Sequence, residues 1–325
     1  MYPIKKHSKI STDPRNELLS TVIFLSEFKN DRFINKSKNE YTDKIRERFA
    51  SYKNHPAVQK YPEMWEMDLC WDGVPNLAIH LTDNFTLLKD VQFSKDLQPR
   101  FKDNFKVLEE YVKLLKDFAD NSHFMEFYTK SQNDDVAFFS KLNETYNNNP
   151  VIEVLEDYIQ LTLPEKSIFI SRLLKSSFGA VRENPHERHI YCIASAYWLK
   201  VAMKNRCIEL NFLSTIWHEF LHSVINPLTD ALFEAPFDLS DAELEWYCAL
   251  NESIIWALCL RLLIGKKKVD PNNLDWYFTN AVRNSAPKTR EMNELLIEYE
   301  ENRARYKDIT EFYHILQKKF GDVPR

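Results

Sequence analysis

Glycine is nearly absent from this chain, with four in 325 residues. Loops that cradle phosphate need glycines at fixed spacing so that the backbone can approach the ligand, and no Walker or dinucleotide pattern occurs. The glycine-rich nucleotide-binding classes are therefore disfavoured. Cysteine is sparse as well. Cys70, Cys192, Cys207, Cys248 and Cys259 are odd in number and widely spaced, which suits buried thiols in a reducing compartment better than a disulfide framework or a cysteine-rich zinc knot. There is no excess of positive charge: a net charge of −5 and a pI near 6.0 argue against a general nucleic-acid binder. No apolar run reads as long enough to insert into a membrane. Met1 is followed by basic residues but by no apolar core of signal-peptide type. With Met1 as the natural start, the expectation is a cytoplasmic protein. With a leader removed ahead of it, the expectation is an exported one.

What the chain does have is material for a core. Hydrophobic residues make up 44% and aromatic residues 14%, enough for one large domain or two smaller ones. From Asp13 to about residue 149 the pattern is helical. Asp13 and Pro14 form a cap and first turn ahead of Leu18, Leu19, Val22, Ile23 and Leu25. Further helices are expected at about 40–53, 56–69, 97–120 and 122–146, with junctions at His55–Pro56 and Asp72–Pro75. The polar run Asn147–Pro150 marks a boundary between an N-terminal helical region, 1–150, and a catalytic part, 151–325. Beyond it, Ser167–Leu174 and Arg188–Ser195 read as strands, joined by a connection from Ser176 to Pro185.

The chemistry concentrates in Phe212–Asn226, a helical pattern that Pro227 should stop and that Ser214 or Asn211 can cap. His218 and His222 stand one turn apart on one face, in a narrow polar wedge of an otherwise apolar helix. Two imidazoles at that spacing can aim a nitrogen each at one zinc ion, and Glu219, offset around the axis, can hold the metal-bound water as general base without occupying the metal. A third ligand must come from elsewhere. The metzincin continuation is excluded, because Ile225 and Leu228 stand where it needs Gly and His. Ser240 and Glu243 form a capping box that opens a second helix running to about Leu263. Between Trp246 and Leu260 its only strongly polar residues are Asn251, Glu252 and Ser253. A carboxylate in so apolar a helix needs a cation or proton donor, and Glu252 is the expected ligand, with Glu245 as rival two turns earlier.

His218–His222 followed by Asn251, Glu252 and Ser253 on a second helix resembles the gluzincin zinc metallopeptidases. That resemblance implies an α+β, mainly helical fold with a zincin-like core, a small antiparallel or mixed sheet, and bound Zn²⁺. It also implies a peptide or protein substrate laid along an edge strand. One departure stands out: where such enzymes often carry an Asp four residues after the glutamate ligand, this chain has Trp256. Asp13–Ser20, Tyr52–Val58, Leu77–Leu81 and His218–Pro227 together resemble an uncharacterised bacterial family catalogued as a domain of unknown function and suspected to contain metallopeptidases. His55 and His80 fall in those stretches and read as structural histidines, with a place in the cleft as the alternative. His189 and Tyr191, on one face of the second strand, are candidate donors to an oxyanion. The expected function is a zinc hydrolase that cleaves peptide bonds. The alternatives are a non-peptidase zinc amidohydrolase and a silent zincin-fold protein that binds a peptide or partner.

Overall fold

The computed structural model describes residues 10–29, 32–89, 105–184, 187–233 and 239–324. Within them are 14 α-helices and one three-stranded sheet, with 63% of residues helical, so helix dominates an α+β fold as expected. The described chain divides into two compact units, Met1–Asn148 with Pro164–Ile208, and Asn149–Leu163 with Glu209–Arg325. The expected strands thus group with the N-terminal helices.

In the first unit, α1 (Pro14–Ser26) is capped by Asp13, whose carboxylate accepts from the backbone N–H of Arg15 and Asn16. Pro14 sits where its missing N–H would have had no helical partner anyway. Residues 15–25 of α1 are all buried, so this helix is the spine of the unit. Around it lie α2 (Glu40–Arg48), α3 (Pro56–Glu66), α4 (Gly73–Ile79), α5 (Phe105–Asn121), α6 (Phe124–Ser131) and α7 (Val136–Asn147). Positions 97–104 of the expected 97–120 helix lie outside the described residues. The single helix expected at 122–146 is two, α6 and α7. The expected junction at Asp72–Pro75 is largely the start of α4. Gly73 and Pro75 read as breakers, yet every residue of α4 is buried and the helix packs on α1 and the sheet, which outweighs propensity. Glu17 is fully buried but not orphaned: it accepts from the Tyr41 hydroxyl at 2.7 Å and the Arg172 N–H at 2.8 Å.

The sheet runs β1 (Glu165–Ser171), β3 (Glu187–Ser195), β2 (Phe178–Asn184) in space, with β1 parallel and β2 antiparallel to β3. The stretch expected to connect two strands is therefore itself β2. Gly179 and the charged Arg182 and Glu183 hide its character, but pairing to β3 supplies the bonds, and Arg182 lies over the Tyr191 ring at 5.6 Å. The short helix α9 (Ala196–Lys204) leaves directly from β3.

The second unit is helical: α8 (Val151–Ile159), α10 (Ile208–Asp230), α11 (Asp241–Gly265), α12 (Asp275–Arg283), α13 (Thr289–Glu301) and α14 (Ile309–Phe320). Ser240 and Glu243 cap α11 reciprocally, as the sequence indicates. By length and composition α11 could cross a membrane, which corrects the expectation that no segment reaches that length. Its most apolar window is 61% buried within the protein, against α13 chiefly and also α8 and α14, so core packing accounts for its apolarity.

Candidate metal centre

The helix α10 is longer than its sequence pattern suggests at both ends. It starts at Ile208, and Ser214, instead of capping, bonds back to the Asn211 carbonyl at 3.1 Å inside the helix. It also continues through Pro227 to Asp230. Proline has no N–H to give to the carbonyl four residues back, so the helix continues there with one main-chain bond fewer. One face of α10 is apolar and shut in by Phe212, Ile216, Phe220 and Leu221, all buried, and the Trp217 indole donates to the Val151 carbonyl of α8 at 2.8 Å. His218 and His222 look out from the remaining wedge.

Opposite them stands Glu252 of α11. The Nε2 atoms of His218 and His222 are 3.2 Å apart. One carboxylate oxygen of Glu252 lies 3.5 Å from His218 Nε2 and the other 3.6 Å from His222 Nε2. Ligands held tetrahedrally about zinc at ~2.0–2.1 Å sit about 3.4 Å from one another, and the separation of the two nitrogens, and of each nitrogen from the carboxylate oxygen nearest it, is of that size. Two imidazole nitrogens and one carboxylate are also the donor types zinc takes. His218, His222 and Glu252 form a group able to hold a metal ion. Each of the three side chains keeps between 21% and 25% of its surface accessible, so the group is only partly buried. Glu245 is exposed and is not part of the group.

Burial, partly offset by the Glu252 charge and reinforced by His222, pushes the His218 pKa down to about 4. At neutral pH its ring is uncharged and its lone pair is free for a metal. His222 is oriented from its own helix: its Nδ1 lies 3.1 Å from Asn226 Oδ1, one turn on. With Nδ1 as the donor, Nε2 is left as the acceptor facing the triad. His218 has no such partner among the described residues. The Trp256 ring meets it edge-on instead, centroids 6.2 Å apart, and the Tyr277 hydroxyl donates to the Trp256 carbonyl at 3.0 Å.

Glu219 is 7% exposed and, by helical rotation, about 100° from His218 and about 60° from His222, beside the triad rather than in it. The buried Cys259 thiol lies 3.8 Å from the Ser214 carbonyl. Burial, and after it the nearby Glu219 and Glu252 charges, raises its pKa and keeps it a neutral thiol. Sequence reasoning assigned roles to neither Asn226 nor Cys259. The i, i+4 spacing of His222 and Asn226 is the one signal that was available, and Pro227 obscured it.

The remaining candidates belong to the first unit. His55 caps α3, accepting from the Ala57 N–H at 3.2 Å, and its other nitrogen lies 3.0 Å from Asp117. His80 is buried with Nδ1 2.7 Å from the Asn76 carbonyl. Both have the partners of structural histidines. His189 stacks on Tyr191 at 4.2 Å and lies 3.0 Å from the Ser167 hydroxyl, with its pKa lowered by burial.

No curated protein and no solved structure matches the chain. A family described as a domain of unknown function (DUF4932) matches residues 9–318, a span that takes in both units and the whole triad, and the chain belongs to that family.

Proposed function

We propose that the protein is a zinc-dependent hydrolase, a metallopeptidase whose ligands are His218, His222 and Glu252. The observation that carries this reading is the convergence of two imidazole nitrogens and one carboxylate at separations a zinc ion spans, on a helix that also holds Glu219. Zinc in such a site supplies Lewis-acid polarisation of the scissile carbonyl. The chain supplies the rest. The uncharged imidazole of His218 and the oriented ring of His222 present nitrogen lone pairs. Glu252 balances part of the charge on the ion. Glu219 takes a proton from the attacking water and passes it to the departing amine, a role that suits a sequestered carboxylate next to the ligands.

The test is cleavage of a mixed peptide library by the zinc-loaded protein, with and without chelator, beside Glu219→Gln. The expected outcome is chelator-sensitive cleavage that falls by roughly 10²-fold or more in Glu219→Gln while the metal stays bound. A zinc-loaded parent that leaves every peptide intact would sink the peptidase reading, and equal turnover by the variant would remove Glu219 as the base.

A further inference from the structure

The last turn of α10 lies beyond Pro227, and two consecutive residues in it reach across to the glutamate helix. Thr229 is fully buried, and its hydroxyl donates to Oδ1 of Asn251 on α11. The Tyr313 hydroxyl of α14, at 2.8 Å, completes a chain in which Tyr313 donates to Thr229 and Thr229 to Asn251. Asp230 accepts from the Tyr247 hydroxyl at 2.7 Å. Tyr247 and Asn251 are one helical turn apart on α11, and Glu252 is the residue after Asn251. On the far side of Glu252, the Ser253 hydroxyl accepts from the Lys288 N–H at 3.2 Å, just ahead of α13.

Apolar side chains alone fix the register of two packed helices weakly, whereas hydrogen bonds tolerate only a few tenths of an ångström. A slip of one residue along α11 would shift Glu252 by about 1.5 Å and turn it by about 100°, out of reach of both imidazoles. Two hydrogen bonds from adjacent residues of one helix to residues a turn apart on the other fix both the slide and the rotation. We propose that Thr229 and Asp230 act as a clamp that holds Glu252 level with His218 and His222. Thr229, Asp230, Asn251, Tyr247 and Tyr313 are then positioning residues of the metal centre. The clamp rests on the reading of the triad as a zinc site.

The test is zinc titration of the metal-free full-length protein and of Thr229→Val, Thr229→Ser and Tyr247→Phe, with the thermal midpoint of each metal-free protein measured alongside. Valine keeps the shape of threonine and loses the hydroxyl. Thr229→Val and Tyr247→Phe should each raise the zinc Kd about tenfold or more, the range seen when support to metal ligands is removed. Thr229→Ser, which restores the donor, should bring the Kd back near the parent value. A merely structural role would lower the thermal midpoints and leave the Kd unchanged, and that result overturns the clamp. Should Thr229→Val fail to fold, Tyr247→Phe decides by the same criterion. A parent protein that binds no zinc overturns the reading of the triad itself, a result distinct from failure of the clamp.

Discussion

At the scale of single residues, the two histidines of the site are supported unequally. His222 has a hydrogen-bond partner in Asn226, while His218 is held by burial and by the edge of Trp256. Replacing Asn226 with Leu frees the His222 ring to choose either tautomer and should raise the zinc Kd about tenfold. Asn226→Asp supplies a carboxylate to the same nitrogen and should bind zinc at least as tightly as the parent. Zinc titration of both variants checks this, and a Leu variant equal to the parent would show that the 3.1 Å contact does not orient the ligand. Glu252 could be read from the sequence because a lone carboxylate in an apolar helix demands a partner. Asn226 and Thr229 could not, because Pro227 looks like a terminus, and only packing reveals that the helix runs on past it.

At the scale of elements, caps and periodicity were readable, whereas elements held by their neighbours were not. The Asp13 cap of α1 and the Ser240 box of α11 both form as the local sequence indicates. α4 and β2 carry glycine, proline or charge at positions that spoil their patterns, and each exists through contacts made far away in sequence. Asp13 also does more than cap: its carboxylate is 2.6 Å from the Arg15 guanidinium, and both side chains are close to fully buried. Asp13→Asn keeps the cap but strips the charge from a buried pair, which should destabilise the protein by about 3 kcal/mol or more. Asp13→Ala loses the cap as well, at about 1 kcal/mol further. Denaturant titration orders the three proteins, and an Asn variant as stable as the parent would show that the pair contributes nothing.

At the scale of the whole molecule, the candidate metal ligands, the proposed base and the proposed clamp all belong to the second unit, while the family match covers both units. No local pattern groups strands 165–195 with the N-terminal helices, because that grouping depends on contacts between segments distant in sequence. A metal that binds only the folded state adds to stability by mass action, about 4 kcal/mol at a thousandfold excess over Kd. Thermal unfolding should therefore shift upward with added zinc and downward with chelator, and the shift should vanish in His222→Ala. The most direct measurement is the metal content per chain of the parent, His222→Ala and Glu245→Gln proteins, purified side by side without chelator and equilibrated with zinc. About one zinc per chain is expected in the parent and in Glu245→Gln, with severe loss in His222→Ala. A His222→Ala protein that keeps its full zinc, or a parent that holds none, would contradict the metal centre.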